Sequence, residues 1–190
     1  MESTATTGVE SPPVQSKRLA RFCARGVSFG ILAYLVGYLL VAALFVFGPA
    51  NIDQTTHLDI QLKWFGFVFY NAQFVPIAVA GQSYNYITQA ADPAVPPLVY
   101  QAIPILALGV ASVVFAVRSR LEGFVQMVVY SGASVAVGYA VLAIMGALLF
   151  SISSSGITAQ PELLKAAVYG AAYPIVIATV VTGIVVFVRR

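Results

Sequence analysis

The residues that come closest to metal-ligand chemistry are Asp53, His57 and Asp59, whose i, i+4 and i+6 offsets let a helix or loop bring two or three ligands together. They sit in a polar stretch, Asn51 to Lys63, so a solvated loop is the expected reading. With one histidine in the chain, no multi-histidine metal site or bis-histidine haem can be built from it. The single cysteine, Cys23, excludes an internal disulfide and a multi-cysteine metal site. It lies between Arg21 and Arg25, where a plain interfacial cysteine is expected and a lipid attachment is the alternative. There is no glycine-rich phosphate loop, no GxSxG and no HExxH. No cofactor and no metal is expected.

The remaining polar candidates are uncharged. Asn71, Gln73, Gln82, Tyr84, Asn85, Tyr100 and Gln101 gather near apolar segments. Amides and phenols around a broken helix could line a small pocket or pore, and Asn71, Gln73, Tyr100 and Gln101 are the candidates for it. Such groups also cap helices and satisfy backbone, which is the expected role of most of them.

The elements that must position these residues are set by composition. Of 190 residues 59% are hydrophobic and only 9% charged, with a mean hydropathy of +0.88. A soluble domain carries about a quarter charged residues, so water is not the main solvent here. A spanning helix needs roughly 20 apolar residues, which leaves room for four or five spans and no large catalytic domain. The net charge of +3 does not point to nucleic acid. The basic residues flank apolar runs and form no stripe with interleaved aromatics.

Residues 1–16 (MESTATTGVESPPVQS) are expected to be a disordered cytoplasmic tail, and residues 17–190 a single transmembrane domain. Spans are expected over about 26–47, 98–117, 123–150 and 166–188. The first is too long for a signal-peptide core, so an uncleaved anchor is expected. None of the four contains a charged residue, the usual mark of an ion or proton pathway. Glu122 is read as a solvated partner of Arg120, and Lys165 as a snorkelling interfacial residue.

The apolar stretch Trp64 to Gly81 decides the topology. If it does not cross, Lys17, Arg18, Arg21, Arg25, Arg118, Arg120, Arg189 and Arg190 share one side, eight of the ten basic residues. If it crosses, the last four of these land outside, against the positive-inside rule. The expectation is therefore an all-α membrane protein: a four-helix transmembrane bundle with an additional short re-entrant or interfacial helical segment, 64–81, in an external region 48–97. Both termini are then cytoplasmic. Since Asn71, Gln73 and Pro76 lie in the segment, its amides are expected to face protein or water.

Small residues mark close packing. Gly26 and Gly30 form a GxxxG, Gly132 with Ala136 and Ser134 with Gly138 are small-xxx-small pairs, and Thr179 with Gly183 is another. Packing within the bundle is the expected use, and self-association the alternative. Pro104 and Pro174 are expected to kink their helices.

The run Lys63-Trp64-Phe65-Gly66-Phe67-Val68-Phe69-Tyr70-Asn71-Ala72-Gln73-Phe74, between a first span and three later ones, resembles small uncharacterised multi-pass membrane proteins of halophilic archaea. The likeness is most specific over about residues 62–76 and architectural elsewhere. It implies a small membrane protein, with transport the most that is suggested for such proteins, and it carries no activity to particular residues. The functional expectation is an integral membrane scaffold or complex subunit without catalytic activity. Its partners are the lipid bilayer and other membrane subunits or a second copy. The alternative is a channel or transporter component with a polar pocket near the outer leaflet. Intramembrane catalysis would require Asp, His, Ser or Cys at membrane depth, and only Ser and Thr qualify.

Overall fold

The computed structural model describes residues 12–48, 57–89, 95–119 and 123–189. In chain order these form α1 (Pro12–Phe47), α2 (Leu58–Ala72), β1 (Ile77–Val79), β2 (Gln82–Tyr84), α3 (Tyr86–Gln89), α4 (Pro97–Arg118), α5 (Phe124–Leu149), β3 (Ile152–Ser154), β4 (Ile157–Pro161) and α6 (Leu163–Val188). Among the described residues, α1, α4, α5 and α6 are long and apolar enough to cross a membrane. At 1.5 Å per residue, α4 is about 33 Å long and α5 and α6 about 39 Å, against a hydrocarbon core of about 30 Å. Their outward faces carry exposed Leu39, Leu106, Val110, Leu148, Val176 and Val180. So continuous an apolar surface suits lipid and not water.

The four long helices pack in a ring, each against two neighbours, α1 on α4 and α5, and α6 on the same two. The interior holds Tyr34, Leu108, Phe115, Val135, Tyr139 and Ala178. Pro104 and Pro174 lie within α4 and α6 and are both buried.

Three expectations are corrected. The fold is not all-α, because β1 to β4 form an antiparallel sheet in the order β2-β1-β4-β3. Two tight hairpins build it, turning at Ala80-Gly81 and Ser155-Gly156, with all four residues at positive φ. That is the type I′ geometry whose twist matches the strands it joins. The segment 64–81 is likewise not one helix. α2 starts at Leu58, so Asp59 lies in its first turn where a carboxylate faces the helix dipole favourably. It stops at Ala72, and β1 and the first hairpin turn follow. Finally, residues 12–16 are already helical, while the rest of the expected tail lies outside the described residues. The helices α4, α5 and α6 end within three residues of the stretches 98–117, 123–150 and 166–188, and α1 continues back to Pro12.

α2 ends in a Schellman motif: Val75 N–H donates to the Tyr70 carbonyl and Phe74 N–H to that of Asn71. The left-handed position, φ 63°, is filled by Phe74 where glycine is usual. This stop reverses the chain sharply and sends β1 back toward the sheet.

Candidate functional site

The sheet, α2 and α3 lie at one end of the bundle, in the connections from α1 to α4 and from α5 to α6. α2 runs back beside the last turns of α1. Phe65 meets Phe45 at 5.8 Å between ring centroids, and Phe69 meets Tyr34 at 5.0 Å and Tyr38 at 6.1 Å. Every residue from Phe65 to Ala72 is buried. Gly37 and Gly66 leave space for the rings of Phe69 and Phe150, so the helix sits deeply between its neighbours.

At the buried end of α2 the polar groups converge. The Tyr70 hydroxyl lies 3.0 Å from that of Tyr34 and donates to the Ala143 carbonyl of α5. Gly146 faces both hydroxyls, where a larger residue would collide with them. Asn71 is fully buried: its Nδ2 donates to the Val75 carbonyl at 2.8 Å, and its Oδ1 accepts from the Tyr86 N–H at 2.7 Å. One side chain thus ties the helix stop to the start of α3. Gln73, 1% exposed, donates from Nε2 to the Phe69 carbonyl of its own helix at 3.2 Å. Asn85 caps α3, its Oδ1 accepting from Ile87 and Thr88 N–H.

The four pocket candidates are not assembled into one site. Asn71 and Gln73 donate their amide N–H groups to backbone, whereas Tyr100, on α4, is buried against Phe45 of α1 and Gln101 is half-buried. Among the described residues no hydrogen bond joins the two pairs. A shallow cleft does lie between the hairpin turns, lined by Ala80, Gly81, Gly156, Ile157 and Thr158, but it carries no charged group. His57 and Asp59 lie at the start of α2, Asp53 falls outside the described residues, and among those described no three His, Cys, Asp or Glu side chains gather as a metal site.

Sequence reasoning missed the tyrosines. Tyr34, Tyr70 and Tyr139 are all buried at helix contacts, Tyr34 and Tyr139 with ring centroids 5.2 Å apart. Their signal was present as three phenols within apolar runs, where a hydroxyl needs a partner. Among the described residues the Tyr139 and Tyr173 hydroxyls and that of Ser112 have none. Deeper in the bundle the Ser131 and Thr182 hydroxyls pair at 2.8 Å between α5 and α6.

A latch closes the sheet end. The Ser83 hydroxyl donates to the Glu162 carboxylate, Lys165 pairs with it at 2.9 Å, and Glu162 N–H donates to the Pro76 carbonyl at 3.0 Å. The Ser83 hydrogen bond first, and then Lys165, hold the Glu162 pKa below its ordinary 4.5. A lowered folded-state pKa contributes stability above the unfolded value, lost as pH falls through the folded one. The hairpin should therefore stay latched at neutral pH and loosen below about pH 4.5. Amide exchange across β1 and β2 should accelerate in that range, and in Glu162→Gln the acid-dependent step should vanish. Identical pH profiles for the two proteins would remove the latch.

Gly30 and Gly138 each face backbone of the other helix in the α1–α5 contact, Gly26 faces Ser134, and Gly132 faces Thr179 of α6. Gly183 faces open space.

No curated protein and no solved structure matches this chain. A family model, described as a family of unknown function (DUF7978), matches residues 1–190. Because that match runs the full length, from α1 to α6 and through the sheet between them, the chain belongs to the DUF7978 family.

Proposed function

We propose that this protein is a membrane scaffold or complex subunit without catalytic activity, crossing the bilayer four times with both termini in the cytoplasm. The observation that carries the reading is what its buried polar groups do. Asn71 spends both amide atoms on backbone, and Tyr70 binds Tyr34 and the α5 carbonyl, so these groups hold the fold and offer nothing to a substrate. The placement of the basic residues supports the orientation. Lys17, Arg18, Arg21, Arg25, Arg118 and Arg189 sit at the end opposite the sheet. On this reading α2 and β1 form a re-entrant hairpin, its backbone covered by α1, α4 and α5 as lipid requires.

One observation favours the second reading, a channel or transporter component: the buried hydroxyls of Ser112 and Tyr139 have no partner among the described residues, and such groups can line a hydrated path. Two measurements separate the readings. Reporters fused at Glu122 and after Arg190 should read cytoplasmic, and one at Asp92 external. Proteoliposomes containing the purified chain should show no flux of protons, alkali cations or small neutral solutes above empty vesicles. Flux that Tyr139→Phe abolishes would replace the scaffold with a pore, and an external Arg190 would overturn the four-span topology.

A further inference from the structure

At the end of the bundle away from the sheet, Lys17, Arg21 and Arg25 recur at i, i+4 and i+8 on α1, and all three are exposed. The opposite face of the same turns is fixed by Phe22, buried against Phe115 with ring centroids 4.9 Å apart, one turn before α4 ends at Arg118. Gly26, the neighbour of Arg25, packs on Ser134 of α5. At 1.5 Å per residue Ser134 lies about 15 Å beyond the first residue of α5.

That depth matters because the lipid-compatible surface begins where α4 and α5 have their ends. Val117, Val125 and Val129 are exposed there. On the membrane-spanning reading, a headgroup layer of only about 5–7 Å on each side puts the backbone of Arg25 deeper than the headgroups. Its guanidinium must reach back along the helix to the interface, as arginine near a helix end does. Among the described residues Arg21, Arg25 and Arg118 form no ion pair, and the two described carboxylates, Asp59 and Glu162, are at the far end. Arg21 gives Nε to the Lys17 carbonyl at 3.4 Å, which orients the guanidinium and leaves its other N–H groups to the outside. Arg189 is used differently, donating to the Val117 carbonyl at the end of α4.

We propose that Arg21 and Arg25, with Arg118 on the adjoining helix end, hold the phosphodiester of an anionic lipid in the leaflet at this end of the bundle. Guanidinium forks match phosphate oxygens bidentately, and two such groups one turn apart can share one headgroup. The site needs the negative net charge of the lipid, since a zwitterionic headgroup brings its own cation to the same place. It rests on the membrane-spanning reading above. Resistance of the chain to alkaline carbonate extraction tests that reading separately, and release by carbonate would overturn both.

The test uses the full chain in neutral detergent, titrated with phosphatidylglycerol or phosphatidylcholine and read by native mass spectrometry and thermal unfolding. Phosphatidylglycerol should be retained in preference and should raise the melting temperature. Surface arginines contribute about tenfold or less each, so Arg21→Gln with Arg25→Gln should weaken apparent affinity by about 30-fold. Arg21→Lys with Arg25→Lys should keep part of it. Lys165→Gln, which removes one charge at the other end, should keep the parent's apparent affinity for phosphatidylglycerol and the parent's lipid-induced rise in melting temperature, whatever the loss of its pair with Glu162 does to the lipid-free value. Equal retention by the double glutamine variant, or equal loss in Lys165→Gln, would overturn the site. The same shift produced by millimolar inorganic phosphate would make it a soluble-phosphate site and overturn the lipid assignment. Circular dichroism and size exclusion of each variant separate lost binding from lost folding.

Discussion

Replacing Gly30 or Gly138 with alanine should cost about 3 kcal/mol or more of bundle stability, the largest effect of any single methyl group in this chain. A Cβ on Gly30 would run into the Val135 carbonyl and approach the Tyr139 nitrogen, and a Cβ on Gly138 would run into the Val27 carbonyl. Both obstacles are backbone in the middle of helices, so no rotamer change relieves them, and α1 and α5 must move apart. Separation would also loosen Tyr34 from Tyr139 and from Tyr70, because that cluster sits one turn further along the same contact. Gly132 and Gly26 should respond less, since the atoms in their way belong to the side chains of Thr179 and Ser134. Gly109 and Gly183 give the reference, for nothing lies within 4 Å of a Cβ at either position. Alanine there should leave the melting temperature unchanged, or raise it slightly through helix propensity, by up to about 1 kcal/mol. Thermal unfolding of all six alanine variants in one detergent checks the order. Gly30→Ala as stable as Gly109→Ala would mean that α1 and α5 do not approach this closely.

The contrast between Gly138 and Gly183 marks where sequence reading stops. Both belong to small-xxx-small pairs, and composition cannot distinguish the glycine that meets a partner helix from the one that faces outward. The long helices were legible because lipid imposes a length and forbids charge, so four uncharged runs flanked by Lys and Arg announce themselves. The sheet was not. Its strands are three to five residues long, too short to show alternation, and the decisive pairing joins Ala78 to Gln160, which no local pattern reveals. The turn residues Ala80-Gly81 and Ser155-Gly156 did carry a signal, since glycine after a small residue suits a type I′ turn. It was hidden by the polar, irregular surroundings. For the candidate site, Asn71 and Gln73 stood out as amides in an apolar run. Tyr100 and Gln101 stood out only as neighbours in sequence of a span, and the fold leaves them on another helix. Tyr34, Tyr70 and Tyr139 come from three different helices, so their meeting follows from helix arrangement alone.

The buried amide gives the second large effect. Asn71→Ala should destabilise the α2–β1 turn by about 3 kcal/mol, because it strands the Val75 carbonyl and the Tyr86 N–H in a place that water does not readily reach. The damage should be concentrated at the reversal. Asn71 joins the end of α2 to α3, and Asn85, which caps α3, also reaches back to the Asn71 carbonyl at 3.5 Å. Asn71→Asp should be no better. A carboxylate keeps the acceptor for Tyr86 but presents oxygen, and a buried charge, to the Val75 carbonyl. Gln73→Ala is the discriminating comparison. Gln73 is as deeply buried, yet its Nε2 donates to the Phe69 carbonyl of its own helix and ties no second element, so its loss should cost only about 1 kcal/mol. Amide exchange from Phe74 to Thr88 reads the local effect, and thiol labelling of single cysteines at Gln82 and Asn85 in a Cys23→Ser background reads exposure from the sheet side. Asn71→Ala should speed exchange of the Tyr86 amide and increase labelling at Asn85 while the helices of the bundle stay protected. If Gln73→Ala matches or exceeds it, the reversal is held by packing of the aromatic face of α2 and not by the Asn71 amide.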